Sequence, residues 1–352
     1  MEAAPIPAPE IPVEAPAPAA IAPTPAPAPT PAPRPKLVLS PEETLAASAT
    51  SAIAYGRFAL ERHHAGAAAG ETEPIHQLRV ATRRLRATLQ LFTSITHTGY
   101  VKTIERDLTW MAQAAGAARE REITVKVLRE RAAKLDPAVA ESLTTIYETL
   151  DRERSEKLAQ LRKVLASRHY RTMLARLDRP RFRKTGADAI LGANAFAMIR
   201  PIARAAAHAG AELNASSPPA TIHRLRVRVK RLRYAIEMLS ALGGKRSRRL
   251  LVRLEGLQEL LGSLNDVSVG IVWLIGFPHT ASVAPGAVLA AGAMAQSLRN
   301  RSAKLARRCI KAWRKLEKSG AVADALDEIR RQGKETPVSK TPHEEPATVN
   351  AA

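Results

Sequence analysis

Apolar residues along this 352-residue chain return at every third or fourth position, the spacing that lines one stripe of an α-helix. Punctuated by Pro, Gly and capping residues, these stripes predict helices from residue 40 to about 331. Ser40-Pro41-Glu42-Glu43 reads as a capping box with proline at the first helical position. The helix it opens runs to about His64 and stops at a Gly-rich loop, 66–70. A second helix runs from about Thr72 to Thr96, and others cover roughly 101–118, 120–135 and 137–166, the last opened by Asp136-Pro137. A short piece near 168–178 precedes Pro180, which marks a boundary in mid-chain. Beyond it, helices are expected near 187–212, 219–242, 246–262, 264–276, 284–300 and 301–331, with Ser217-Pro218-Pro219 at the start of the second. The expected class is all-α.

Both ends break the pattern. Residues 1–36 are dominated by Ala-Pro, as in APTPAPAPTPAPRP. Proline fixes the backbone angle and removes an amide donor, so a disordered, extended Pro/Ala-rich arm is expected there. An inert solubilising tail is the plainer reading of it, a spacer or docking segment the more specific one. Residues 333–352 are polar and contain proline, and a disordered tail is expected.

One phrase occurs twice: IHQLRVATRRLR from Ile75 and IHRLRVRVKRLR from Ile222, a shift of 147. A second anchor aligns Gly116-Ala-Ala-Arg119-Glu120 with Gly262-Ser-Leu-Asn265-Asp266, a shift of 146. Two anchors with nearly equal shifts point to an internal duplication. Residues 40–180 then form a first helical bundle of about four main helices, and residues 185–320 a second.

Wound as a helix at about 100° per residue with His76 at zero, Arg79, Arg83 and Arg86 fall near 300°, 340° and 280°. Leu78, Leu85, Leu89 and Phe92 fall on the opposite side, near about 200°, 180°, 220° and 160°. The second copy matches: His223, Arg226, Lys230 and Arg233 form the basic stripe, and Leu225, Leu232, Ile236 and Leu239 the apolar one. Like charges at this spacing repel, and no acidic residue inside either phrase relieves them. An anion rich in oxygen would, and the guanidinium fork suits phosphate. A single such stripe is ordinarily a solvated face, but two in matched register favour a site. Each histidine heads its stripe, placed to donate to an anion when protonated. For Arg119-Glu120 and Asn265-Asp266, helix capping competes with a second reading. In that reading Glu120 and Asp266 orient the stripe arginines while Arg119 adds a cation.

Composition sharpens this. With 54 Lys+Arg against 33 Asp+Glu, the formal charge is +21, which predicts an anionic partner: nucleic acid, a phosphate polymer or membrane lipid. Aromatics make up 4% of the chain, which argues against a single-strand binder that stacks bases. The single cysteine, Cys309, allows no intrachain disulfide and no multi-Cys metal site. MEAAPIPAPE has neither a basic n-region nor an apolar run, so no signal peptide and no transmembrane span is expected, and the default location is the cytoplasm.

The pattern His-x-Leu-Arg-Val-x-x-[Arg/Lys]-Arg-Leu-Arg, twice in order, resembles the signature of the CHAD family, the conserved histidine α-helical domain. LQELLGSLNDVSV, from Leu257 to Val269, is similar to that family's second-half segment. The resemblance spans roughly residues 40–320. It implies two four-helix bundles related by pseudo-twofold symmetry, their histidine helices meeting around a central basic pore. It also implies binding of inorganic polyphosphate, with some relatives residing on polyphosphate granules in bacterial cells. By resemblance the pore role falls to His76, Arg79, Arg83, Arg86, His223, Arg226, Lys230 and Arg233.

Three departures stand out. Many relatives carry an N-terminal triphosphate tunnel domain with a Glu-x-Glu-x-Lys strand. Here the Pro/Ala arm occupies that end, and Thr124 follows Glu120 and Glu122 where the lysine would stand. The first half has Arg-Glu where Arg-Asp is usual. IGFPHTASVAPG, residues 275–286, reads as an unusual loop.

The expected function is therefore non-enzymatic binding of inorganic polyphosphate, with no cofactor, no metal and no catalytic residue. The alternative is a nucleic-acid-binding basic helical protein, which the net charge fits equally well. Against it, the sequence has no convincing helix-turn-helix, zinc finger or aromatic-rich surface. No Walker loop, metal-spaced cluster or Ser-His-Asp arrangement points to an enzyme.

Overall fold

Helical periodicity carries through into helices almost everywhere in the computed structural model, which describes residues 37–214, 217–279 and 283–335. The elements are α1 (Leu45–Arg62), α2 (His64–Ala69), α3 (Thr72–Leu91), α4 (Thr98–Ala132), α5 (Pro137–Glu141), α6 (Thr144–Ala166) and α7 (Arg168–Leu177). They continue with α8 (Leu191–Ala211), α9 (Pro219–Met238), α10 (Lys245–Gly276), α11 (Pro285–Lys318) and α12 (Ala321–Glu335). Single 3₁₀ turns at Ser240–Leu242 and Phe277–His279 follow α9 and α10. Among the described residues there is no strand, only two isolated bridges, Thr44 to Ile190 and Thr96 to Phe182. The fold is all-α. The Pro/Ala arm and nearly all of the polar tail lie outside the described residues; α12 itself runs two residues past Gly333.

Several helix limits differ from the sequence expectation, each for a local reason. The first helix starts at Leu45, because Thr44 caps it by accepting the amide of Ala47. Ser40-Pro41-Glu42-Glu43 instead makes the turn before it. The 66–70 loop is the end of α2, closed by Gly70 at φ 93°. Helix breaks were expected at residues 119 and 263, just beyond Gly116 and Gly262. Both glycines lie inside unbroken helices, α4 and α10, since a single helical glycine costs only ~1 kcal/mol. Conversely, the break expected near 300 falls at Ser319-Gly320, where Gly320 takes φ 64°. Proline starts α9 and α11 at their first turns, as expected for Pro219 and within the 275–286 stretch for Pro285.

The apolar stripes build two cores. One gathers Ile53, Leu78, Leu85, Leu89, Leu108 and Met173 from α1, α3, α4 and α7. The other gathers Leu225, Leu232, Leu254, Leu261, Met294 and Trp313 from α9, α10 and α11. The 35-residue α4, about 52 Å long, serves both: Ile104 to Ala118 face the first core, Val127 and Leu128 the second. At its outer end, fully buried Asp107 accepts from His169 Nε2 at 3.0 Å and Arg176 at 2.7 Å, which ties α7 to α4. Trp110 stacks on the His169 ring at 4.2 Å.

Among the described residues α10 alone is long and apolar enough to cross a membrane by length and composition. Leu250, Leu254, Leu257, Leu261, Leu264, Val267 and Leu274 bury one side of it in the core, while Val252, Val272 and Ile275 remain exposed.

Candidate anion-binding site

The two repeated phrases become α3 and α9, each 20 residues long. Leu78, Leu85, Leu89 and Phe92 are buried, as are Leu225, Leu232, Ile236 and Leu239, so both predicted apolar faces pack inward. The helices contact each other directly. Their contacts advance in step: Arg84 lies 5.9 Å from the Tyr234 ring, and one turn on, Thr88 donates to Met238 Sδ at 3.3 Å.

This pairing brings Arg79 and Arg83 of α3 against Arg226 and Lys230 of α9. Lys230 is only 8% exposed. Burial, and then Arg83, Arg226 and Arg79, push its ammonium down to about 6, against the pull of Asp266. Burial and Arg83 likewise hold Arg79 down to about 10, with Glu120 opposing and Arg226 and Arg119 adding to the fall. Arg226 is lowered by burial and Arg83, with Asp266 and Tyr234 opposing. His76 is lowered by burial first; Glu73 opposes, and Arg119, Arg83 and Arg79 reinforce.

Counter-charge is sparse. Glu120 on α4 and Asp266 on α10 act on the cluster, but among the described residues no carboxylate lies within 4.0 Å of Arg79, Arg83, Arg226 or Lys230. The Nε atoms of Arg119 and Arg226 are buried without a hydrogen-bond partner. Gly116 makes room for the cluster: a Cβ there would collide with the Arg79 guanidinium. Gly262, its counterpart in the repeat, has open space around it.

The capping reading of the second repeated signal is overturned, because Arg119-Glu120 and Asn265-Asp266 lie in the middle of α4 and α10. A cap needs a helix end, and the breaks expected beside these pairs do not occur.

The nine sequence candidates do not all converge. His76, Arg79, Arg83, Arg119, Arg226 and Lys230 share one electrostatic neighbourhood. Arg119 is also paired with Glu122. His223 stands beside Arg226 on the wall of an adjoining cavity. Arg86 lies instead toward Arg231, on which Arg228 and Glu105 also act. Arg233 is committed elsewhere: it donates to Gln258 at 2.9 Å and Glu237 at 2.6 Å and lies over the Tyr234 ring. Glu237, four positions beyond Arg233, is a partner the sequence offered and the phrase boundary hid.

Sequence reasoning also missed the adjoining cavity, about 610 Å³, lined by Glu120, Ser268, Trp273 and Ser302 among others. Its signal was the spacing of Asn265, Ser268, Val269, Val272 and Trp273, which places them on one face of α10. Among the described residues no group of three or more His, Cys, Asp or Glu could hold a metal ion.

An all-helical protein with a recessed, under-neutralised cationic centre is the class these features define. A family model for the CHAD domain matches residues 52–275, more than half of the chain, and the chain belongs to that family. Two solved structures share the fold. PptA from Streptomyces chartreusis superposes with a TM-score of 0.64 at 18% identity, covering 77% of this chain and 99% of its own. The CHAD domain from the plant Ricinus communis gives 0.59 at 21% identity, covering 88% and 99%. No curated protein sequence matches the chain.

Proposed function

We propose that this protein binds inorganic polyphosphate, without turning it over, at the cationic cluster between α3 and α9. One observation carries the reading: half-buried Arg79, Arg83 and Arg226 surround buried Lys230, with only Glu120 and Asp266 nearby as counter-charge. A cluster in that condition lowers its energy by taking in an anion with many oxygens. Family membership supports phosphate polymer as that anion. The recessed setting supports a thin chain, which can thread between helices, over a duplex, whose phosphates ride on a wide cylinder.

Binding would proceed by neutralisation and release of counterions, so affinity falls steeply with salt. The test is polyphosphate affinity at physiological salt for Arg79→Ala combined with Arg226→Ala. The control pair is Arg171→Ala with Arg249→Ala, two exposed arginines. Arg131 is unsuited as a control because its Nε donates to Ser297 on α11. The site pair should lose at least ~3 kcal/mol, about 1.5 or more per charge-assisted contact. Equal losses from both pairs would mean that net charge alone binds. Displacement of long-chain polyphosphate by duplex DNA at equal phosphate concentration would favour the nucleic-acid reading. Phosphate release above background, abolished by His76→Ala, would favour an enzyme.

A further inference from the structure

The cavity of about 610 Å³ beside the cluster has a wall of different chemistry. It shares His223 and Arg226 with the basic stripe of α9, but Leu261, Leu264, Val269, Val272, Trp273 and Ala306 make most of the rest apolar. Its size falls within the range of about 300–1,000 Å³ typical of small-molecule sites. A bare phosphate chain gains nothing from such a wall, since a charged group pays to leave water for apolar surface. Besides His223 and Arg226, the polar groups interrupting the wall are Glu120, Arg121, Ser217, Asn265, Ser268 and Ser302, and Arg121 is paired with Glu153. Glu120 makes no ion pair within 4.0 Å among the described residues, so its carboxylate is open to donors and repels a second phosphate. Ser268 donates to the carbonyl of Leu264 at 2.9 Å and keeps its lone pairs to accept. Trp273 is held in place by its Nε1 bond to Glu153 at 3.0 Å, giving a fixed aromatic surface.

Cationic groups, a fixed aromatic, apolar walls and an acceptor carboxylate lining one cavity match a ligand with phosphates on a flat, amine- or hydroxyl-bearing body. We propose that the cavity receives the nucleoside of a nucleoside polyphosphate whose phosphates reach into the cluster between α3 and α9. This rests on the polyphosphate reading of that cluster. Trp273 and the apolar side chains take the base, and Glu120 accepts from ribose hydroxyls or an exocyclic amine. His223 and Arg226 hold the phosphates nearest the sugar.

The experiment compares ATP with inorganic triphosphate on the full chain by calorimetry, with long-chain polyphosphate measured beside them. ATP carries less charge because one end of its phosphate chain is esterified, so charge alone ranks it below triphosphate. A base gripped in the cavity reverses the order, by about tenfold for one good stacking contact. Ala303→Trp and Val272→Gln alter exposed positions on the cavity wall without changing its charge. Each should bring ATP down to the level of triphosphate while leaving triphosphate unchanged; two variants guard against misfolding of either. Polyphosphate binding with ATP no tighter than triphosphate overturns this inference alone. So does an ATP preference that survives both variants. Failure of long-chain polyphosphate to bind overturns the parent reading as well.

Discussion

Lys230 gives the cluster a proton balance that can be measured. Its ammonium sits at about 6 in the empty site, against an ordinary value of about 10.4. At pH 7 roughly a tenth of molecules therefore carry that charge. Phosphate oxygens beside it favour the charged form, so binding must draw in nearly one proton per site between pH 7 and 8.5. Affinity in that window should fall about tenfold per pH unit. The ligand adds little of its own, because internal phosphates of a long chain stay ionised throughout. Arg79, Arg83, Arg226 and Asp266 face Lys230, and Arg79, even held down to about 10, stays charged over this range. His76, lowered from its ordinary value, titrates below the window. Calorimetry in buffers of different ionisation enthalpy reads the proton directly. Lys230→Arg, permanently charged, should abolish both the uptake and the slope. A flat wild-type affinity from pH 7 to 8.5, or an unchanged slope in Lys230→Arg, refutes the reasoning.

Three further outcomes follow from single contacts. Gly116→Ala should weaken polyphosphate binding, though less than Arg79→Ala, because its Cβ displaces the end of a flexible side chain that keeps its charge, while Gly262→Ala leaves binding intact. Chemical denaturation should show Gly262→Ala gaining up to ~1 kcal/mol from helix propensity. Glu328 accepts the amides of Gly244, Arg246 and Ser247 and the Ser247 hydroxyl, which hold its carboxyl down to about 2. That stability is present above the unfolded value of about 4.3 and is lost as pH falls toward 2, so Glu328→Gln should cost ~1 kcal/mol at pH 6 and flatten the acid limb of a stability–pH profile. In a salt titration, Arg79→Ala with Arg226→Ala should reduce the slope of log affinity against log salt by about 1–2, whereas Arg171→Ala with Arg249→Ala should leave it unchanged.

Periodicity made the helices and both apolar faces legible, because a stripe that must be buried leaves its spacing in the sequence. Leu78 and Leu85, and Leu225 and Leu232, are buried where the winding put them. Helix ends were harder to place. Gly116 is only an alignment anchor in one dimension, yet it is a gap kept for the Arg79 side chain of another helix. The centre of the site was legible because the phrase repeats. Its edges were not, because stripe position says which way a side chain leaves its helix, not what meets it. Arg233 lies in register with Arg86, but Gln258 on α10 and Glu237 on its own helix take its donors. Arg86 turns toward Arg231. The spacing on α10 groups one wall of the cavity, but what closes it from α4, α9 and α11 depends on packing between distant segments, which no local pattern encodes.

The one chemical difference between the two stripes within the cluster is Lys230 opposite Arg83, and it bears on how an empty site can fold. Three half-buried guanidiniums already repel one another, and arginine cannot shed a proton at any working pH. A lysine at the fourth corner can. At pH 7 its deprotonation costs on the order of 4 kcal/mol, from a fall of about 10.4 to about 6. In the unfolded chain the same lysine stays protonated between those values, so stability of the empty protein should rise with pH across that window. Lys230→Met removes both the cost and the slope and should raise Tm without ligand. Lys230→Arg forces a fourth fixed charge into the cluster and should lower it, by ~2–4 °C for each kcal/mol lost. Saturating polyphosphate should then restore the arginine variant to at least the stability of the wild type, since the anion neutralises what the fold alone cannot. If Lys230→Arg without any anion melts where the wild type does, the lysine is not what lets the site stand empty.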